Sequence, residues 1–253
     1  ATVTGPLGGW NHSMRLNLGQ LEFVGNGSTH GIDLSGVTSI VIQGTDTHDR
    51  LVIDLSGGEF FLPISFSGNV GWDTLVGPAS DTNWSVTGPG SGNVAGVSFS
   101  TVEYLQGAAD NQDTFTFEQH GALAGHVHGG DGGFDTLVTN GTYGSVENNP
   151  TAPDAGAVVV DGNVITYIGL EPIVNAAPPA DYEINLMAAD NDDVVLKRYE
   201  NEPGFAGATT DMLLISGSGF EDTAFAAPTT GLTINGGDGI DSITISGLID
   251  LGS

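Results

Sequence analysis

Short runs of alternating apolar and polar residues, each closed by a turn rich in glycine and aspartate, recur along the whole chain. This punctuation limits the fold more than any other feature. The runs include Ser39–Gln43 (SIVIQ), Leu51–Leu55 (LVIDL), Thr114–Phe117 (TFTF), Asn163–Ile168 (NVITYI), Met212–Ile215 (MLLI) and Ser242–Ile245 (SITI). Side chains on a strand change face with a period of two, so each run buries one face and wets the other. Helical periodicity is poor throughout. Its best stretch, Asn185 to Tyr199, is broken by Asp190-Asn191-Asp192-Asp193. The pattern predicts an all-β protein.

The runs are organised in repeats. Gly44–Gly77 and Gly107–Gly141 align: glycine, an Asp-x-x-Asp pair, an alternating strand, a glycine-rich turn, then aromatic-Asp-Thr-Leu-Val. A looser third copy carries Asp190 and Asp193 before Val194-Val195-Leu196, and GGDGIDSIT at Gly236–Thr244. The chain is therefore expected to form three degenerate units, at about 11–80, 81–147 and 155–250, with loops projecting near 148–157 and 175–181. Units of this length hold too few strands to stand alone. The expected architecture is a parallel β-helix, or β-solenoid, with Gly/Asp-rich turns; tandem β-sandwich units are the alternative.

Charge narrows the function. There are 31 acidic residues against 4 basic ones, a net charge of −27. No basic patch can be assembled for a nucleic acid or an anionic membrane surface, and no apolar run approaches a membrane span. Cysteine is absent, so neither disulfides nor thiolate metal sites arise. Two carboxylates ~4 Å apart repel by about 4 kcal/mol at an effective dielectric of ~20, and stacking repeats would multiply the problem. A hard divalent cation with oxygen ligands relieves it, and glycine turns supply carbonyls beside the carboxylates. Calcium is therefore the expected ion. Its candidate ligands are Asp46, Asp49, Asp73, Asp110, Asp113, Asp131, Asp135, Asp190, Asp193, Asp238 and Asp241.

Gly236-Gly237-Asp238-Gly239-Ile240-Asp241-Ser242-Ile243-Thr244 matches the GGxGxDxUx pattern, and the chain here resembles haemolysin-type (RTX) calcium-binding proteins and large secreted bacterial surface proteins. The resemblance implies that Asp241 and the preceding glycine carbonyls ligate calcium between turns of a parallel β-roll. Gly130–Leu137 carries one extra residue before Asp135, and the Gly68–Leu75 copy has Asn69 and Val70 in place of Asp and Gly. The nonapeptides here are single and widely spaced, which implies an irregular or long-rung helix.

The function expected from this is a non-catalytic, calcium-stabilised structural segment of a secreted or cell-surface bacterial protein: an adhesin stalk, a surface-layer unit or a filament subunit. Its partners would be calcium ions, adjoining solenoid segments or other copies of itself, and extracellular glycans. The alternative is a carbohydrate-active module that binds glycans or acts as a polysaccharide lyase or glycoside hydrolase. Lys197-Arg198 is the one enzyme-like hint, because lyases pair calcium with a basic residue. His126 and His128 share one strand face, as a metal pair would, without a third ligand nearby. Of Trp10, Trp72 and Trp84, Trp72 aligns with Phe134 and reads as a packing position. An exposed aromatic groove with a lone arginine would favour glycan binding.

Overall fold

The computed structural model describes residues 2–4, 11–25, 27–187, 193–217 and 219–247. The described residues form strands and turns with no helix, as the alternating runs predict. The strands belong to two mixed sheets. The chain divides into two compact units: residues 1–113 with 120–133, and 114–119 with 134–253.

In the first unit the chain returns to the same two ladders again and again. One ladder pairs Thr2–Thr4, Ile40–Gln43, Ile64–Ser67 and Val97–Ser100 in parallel. The other pairs Asn11–Asn17, Arg50–Asp54, Thr74–Val76, Tyr104–Gln106 and His126–His128, also in parallel. In-register parallel pairing stacks like on like. Leu51, Leu75, Leu105 and Val127 make one fully buried column. Ile42, Phe66 and Phe99 make another. Each such side chain contributes roughly 1.5–3 kcal/mol by leaving water.

Antiparallel hairpins interrupt the ladders. Gln20–Gly25 and Ser28–Asp33 extend one sheet, and Asn83–Gly88 with Ser91–Val94 extends the other. Two of the reversals are two-residue turns with positive φ at both positions, Leu18-Gly19 and Ala95-Gly96. That is the twist-matched hairpin geometry. Trp84 is 1 % exposed and packs edge-on to Phe99 at 6.4 Å, so it belongs to the core.

The second unit repeats the scheme. Thr114–Glu118, Thr136–Asn140, Ile173–Asn175 and Thr223–Phe225 are parallel, as are Ser145–Ala152, Asp181–Asn185 and Gly231–Asn235. Leu213–Ser216 and Asp193–Arg198 add antiparallel strands, and Ser242–Ile245 then pairs in parallel with the latter. The core here is partly polar, with side chains bonded to one another. Thr139 Oγ1 donates to Asn175 Oδ1 at 2.7 Å, Asn175 Nδ2 donates to the Tyr182 hydroxyl, and Tyr182 stacks on Phe225 at 4.3 Å. Ile243 and Ile245 continue the buried columns of Val194 and Leu196 but stand 45 % and 66 % exposed.

The stretch 148–157, expected as a projecting loop, is mostly a hairpin: Ser145–Ala152 pairs with Ala155–Val160. Pro150 has no N–H to give a ladder, and the register shifts between Pro150 and Ala152, where that loss is absorbed. Residues 176–180 are a strand-free connection.

Candidate functional site

The aspartate turns share one construction. A strand ends on glycine, the chain loops out, and an aspartate five or six residues on turns its carboxylate back over that glycine. A Cβ added at Gly44 would lie 2.5 Å from Asp49 Oδ2; at Gly68, 2.4 Å from Asp73 Oδ2; at Gly107, 2.5 Å from Asp113 Oδ2; at Gly236, 2.5 Å from Asp241 Oδ2. Gly44, Gly68 and Gly107 do not have positive φ. They are glycine for want of space, not for backbone freedom.

Three of the carboxylates so placed are buried, and Asp135 is buried with them. Asp49, Asp73, Asp113 and Asp135 are each at most 2 % exposed. Main-chain donors hold the first three there. The Thr45 amide donates to Asp49 Oδ2 at 2.6 Å, the Asp49 amide to Asp73 Oδ1 at 2.8 Å, and the Asp73 amide to Glu103 Oε2 at 2.8 Å. Three successive strands of one ladder are thereby stitched at their entry points. Asp113 Oδ1 accepts from the Thr82 amide and from Asn111 Nδ2, both at 2.9 Å. Asp161, which the sequence did not single out, accepts the amides of Gly144 and Ser145 at 2.8 and 2.9 Å.

Burial has an electrostatic consequence. It raises the Asp73 carboxyl to about 6, assisted by the neighbouring charges of Asp49 and Glu103 and opposed by the Asp49 amide. Burial also raises Asp113 to about 6, against the hydrogen bonds it accepts. In the second unit burial lifts Glu221 to about 8, with Glu171, Asp222 and Asp154 adding like charge.

The remaining candidate ligands lie elsewhere on the turns. Asp46, Asp110, Asp131 and Asp238 are exposed at the apices, Asp193 is exposed at a strand start, and Asp241 is half-buried. Asp190 lies outside the described residues. The Asp46/Asp49 and Asp110/Asp113 pairs are therefore split, the first member outward and the second inward, whereas Asp193 of the third pair is exposed. Among the described residues no group of three or more His, Cys, Asp or Glu is placed to hold a metal ion. Asp49, Asp73 and Asp113 each direct an oxygen at a main-chain amide; Asp73 Oδ2 has no hydrogen-bond partner, but no cage of carboxylates for calcium is assembled around it among the described residues.

Lys197 is paired with Glu202 at 2.7 Å, and that contact raises its pKa. A cation held protonated is in the wrong state to accept a proton. His126 and His128 face outward from one strand but serve different neighbours. His126 meets the Tyr104 ring at 4.8 Å, edge to face, while His128 Nδ1 accepts the Gly130 amide at 3.0 Å. Trp72, expected as a packing residue, is 48 % exposed, with its ring 5.7 Å from Tyr104. Its counterpart Phe134 instead packs over Gly204, where an added Cβ would fall 2.1 Å from the Phe134 ring. Trp72, Tyr104 and His126 thus form an aromatic row on the outer face of the first unit. Trp10 lies outside the described residues.

No known family, characterised protein or solved structure matches this chain.

Proposed function

We propose that the chain is a non-catalytic β-solenoid scaffold, a segment of a secreted or cell-surface bacterial protein. The observation that carries this reading is the repeated return of the chain to two parallel ladders with in-register apolar columns. The buried aspartates then act as structural staples: each ties a turn to its own strand entry or to the next. The exposed isoleucines on the Ser242–Ile245 edge are what an adjoining stack of strands would cover. The pairing of Lys197 with Glu202 supports the non-catalytic part. Incubation with neutral and acidic polysaccharides, with and without calcium, should leave their chain length unchanged. Shortened or unsaturated products would refute it.

Calcium takes an outer role in this proposal. It would screen the exposed apices Asp46, Asp110, Asp131 and Asp238, whose carboxylates are in water, while the staples hold the turns themselves. Chelation at physiological salt should then lower Tm by no more than about 3 °C, equivalent to roughly 1 kcal/mol for a chain of this size. A melt that collapses on chelation would return calcium to the centre of the fold.

A further inference from the structure

We propose that the outer face of the first unit binds a neutral saccharide, on a platform made by Trp72, Tyr104 and His126. The proposal does not depend on the scaffold reading. A shallow open hollow of about 290 Å³ lies on this face, lined by Thr74, Tyr104, Leu105, Gln106, His126 and His128. Parallel register sets Arg50, Thr74, Tyr104 and His126 side by side on four successive strands. At ~4.8 Å per strand the row runs ~14 Å, the reach of a short oligosaccharide.

Three observations favour a sugar over other occupants. The first is exposure of flat apolar rings: Trp72 is 48 % exposed, beside Tyr104 at 5.7 Å, which in turn meets His126 at 4.8 Å. Large aromatic side chains left half in water on a rigid sheet are suited to the C–H face of a pyranose ring. The second is a set of polar groups around the rings. Gln106 and Thr74 offer both donors and acceptors. His128 and His48 each accept a backbone amide through Nδ1, from Gly130 at 3.0 Å and Trp72 at 2.9 Å. In the neutral ring this fixes the proton on Nε2, where it can be donated to a hydroxyl.

The third observation is charge. No carboxylate lines the hollow, in a chain with 31 acidic residues. A cationic ligand would find aromatic rings but no counter-charge. An anionic glycan would meet a net charge of −27, with Arg50 the one cation in the row. A neutral polyhydroxylated ligand is what remains. Gly125 leaves room for the Tyr104 ring: a Cβ there would sit 2.4 Å from Tyr104 Cε1 and push the ring away.

The test is an array of neutral hexose oligosaccharides with uronate oligosaccharides and a trimethylammonium compound as controls, followed by calorimetric titration of the hits. At least one neutral oligosaccharide should bind, with a change in tryptophan emission. Trp72→Ala and Tyr104→Ala should each weaken it tenfold or more at unchanged circular dichroism and Tm, and Trp72→Phe should retain part of the affinity. Absence of binding to every neutral oligosaccharide overturns the proposal. So does binding confined to the controls, or affinity unaffected by Trp72→Ala and Trp72→Phe.

Discussion

Gly107→Ala is expected to destabilise the first unit by about 3 kcal/mol. The added Cβ would fall 1.8 Å from the Gly129 carbonyl oxygen and 2.5 Å from Asp113 Oδ2. Neither neighbour is the free end of a flexible side chain. The Gly129 carbonyl is backbone on the adjacent turn, and the Gly107 amide donates to His128 O at 2.8 Å. Asp113 is anchored by the Thr82 amide and Asn111. Relief of the clash must therefore open the turn, break the stacking contact or expel a buried carboxylate, and overpacking of a rigid site costs 1–3 kcal/mol or more. Gly162→Ala is the control. It has positive φ at a hairpin and open space around its Cβ, so its cost is conformational and should be near 1 kcal/mol. Thermal or denaturant unfolding of the two variants measures the difference.

The second large effect concerns pH. Asp73 and Asp113 are raised from an ordinary 3.8 to about 6, and Glu221 from 4.5 to about 8. In each case the folded state holds its proton more tightly than the unfolded chain. As pH rises the unfolded chain ionises first, so stability falls between about pH 4 and 6 through the two aspartates and on to about pH 8 through Glu221. The fold should accordingly be strengthened by mild acid, with Tm higher at pH 5 than at pH 8 by roughly 10 °C. Self-repulsion of the −27 net charge acts in the same direction. Salt separates the two, because it screens exposed charge and leaves the buried carboxyls untouched. Asp73→Asn supplies the specific check. The amide oxygen can still accept from the Asp49 N–H while the charge beside Asp49 and Glu103 is removed. Tm at pH 8 should rise relative to the parent, and the gain should fall to about half at pH 5 and vanish below about pH 4. A variant that loses stability equally at both values would mean the ionised carboxylate is required.

Much of this arrangement was legible in the residues. The alternation of LVIDL, TFTF and SITI located strands, and the spacing from glycine to aspartate located turns whose geometry the structure repeats. The environment of those aspartates was not legible, because a carboxylate surrounded by glycine reads as a solvent or metal ligand. Only stacking shows that Asp49 and Asp73 lie beneath the next turn, where amides replace water. The hairpins at Leu18-Gly19 and Ala95-Gly96 carry neither the Asn-Gly nor the Asp-Gly signature of their turn type. Trp72 departs from its expected packing role for a related reason. Trp72 and Phe134 occupy equivalent sequence positions, but the segment at Gly204 covers only the second. Trp84, with no aligned counterpart to interpret it, packs against Phe99 in the core.

The claim on which the rest depends is that turn carboxylates are buried as protonatable staples for main-chain amides and not as ligands of an ion. Carboxyl-carbon NMR on aspartate-labelled protein tests it directly, with Asp73→Asn assigning the resonance. The Asp73 midpoint should lie near 6 and stay there when calcium is added or chelated. A midpoint below the ordinary 3.8, displaced by calcium, would contradict it.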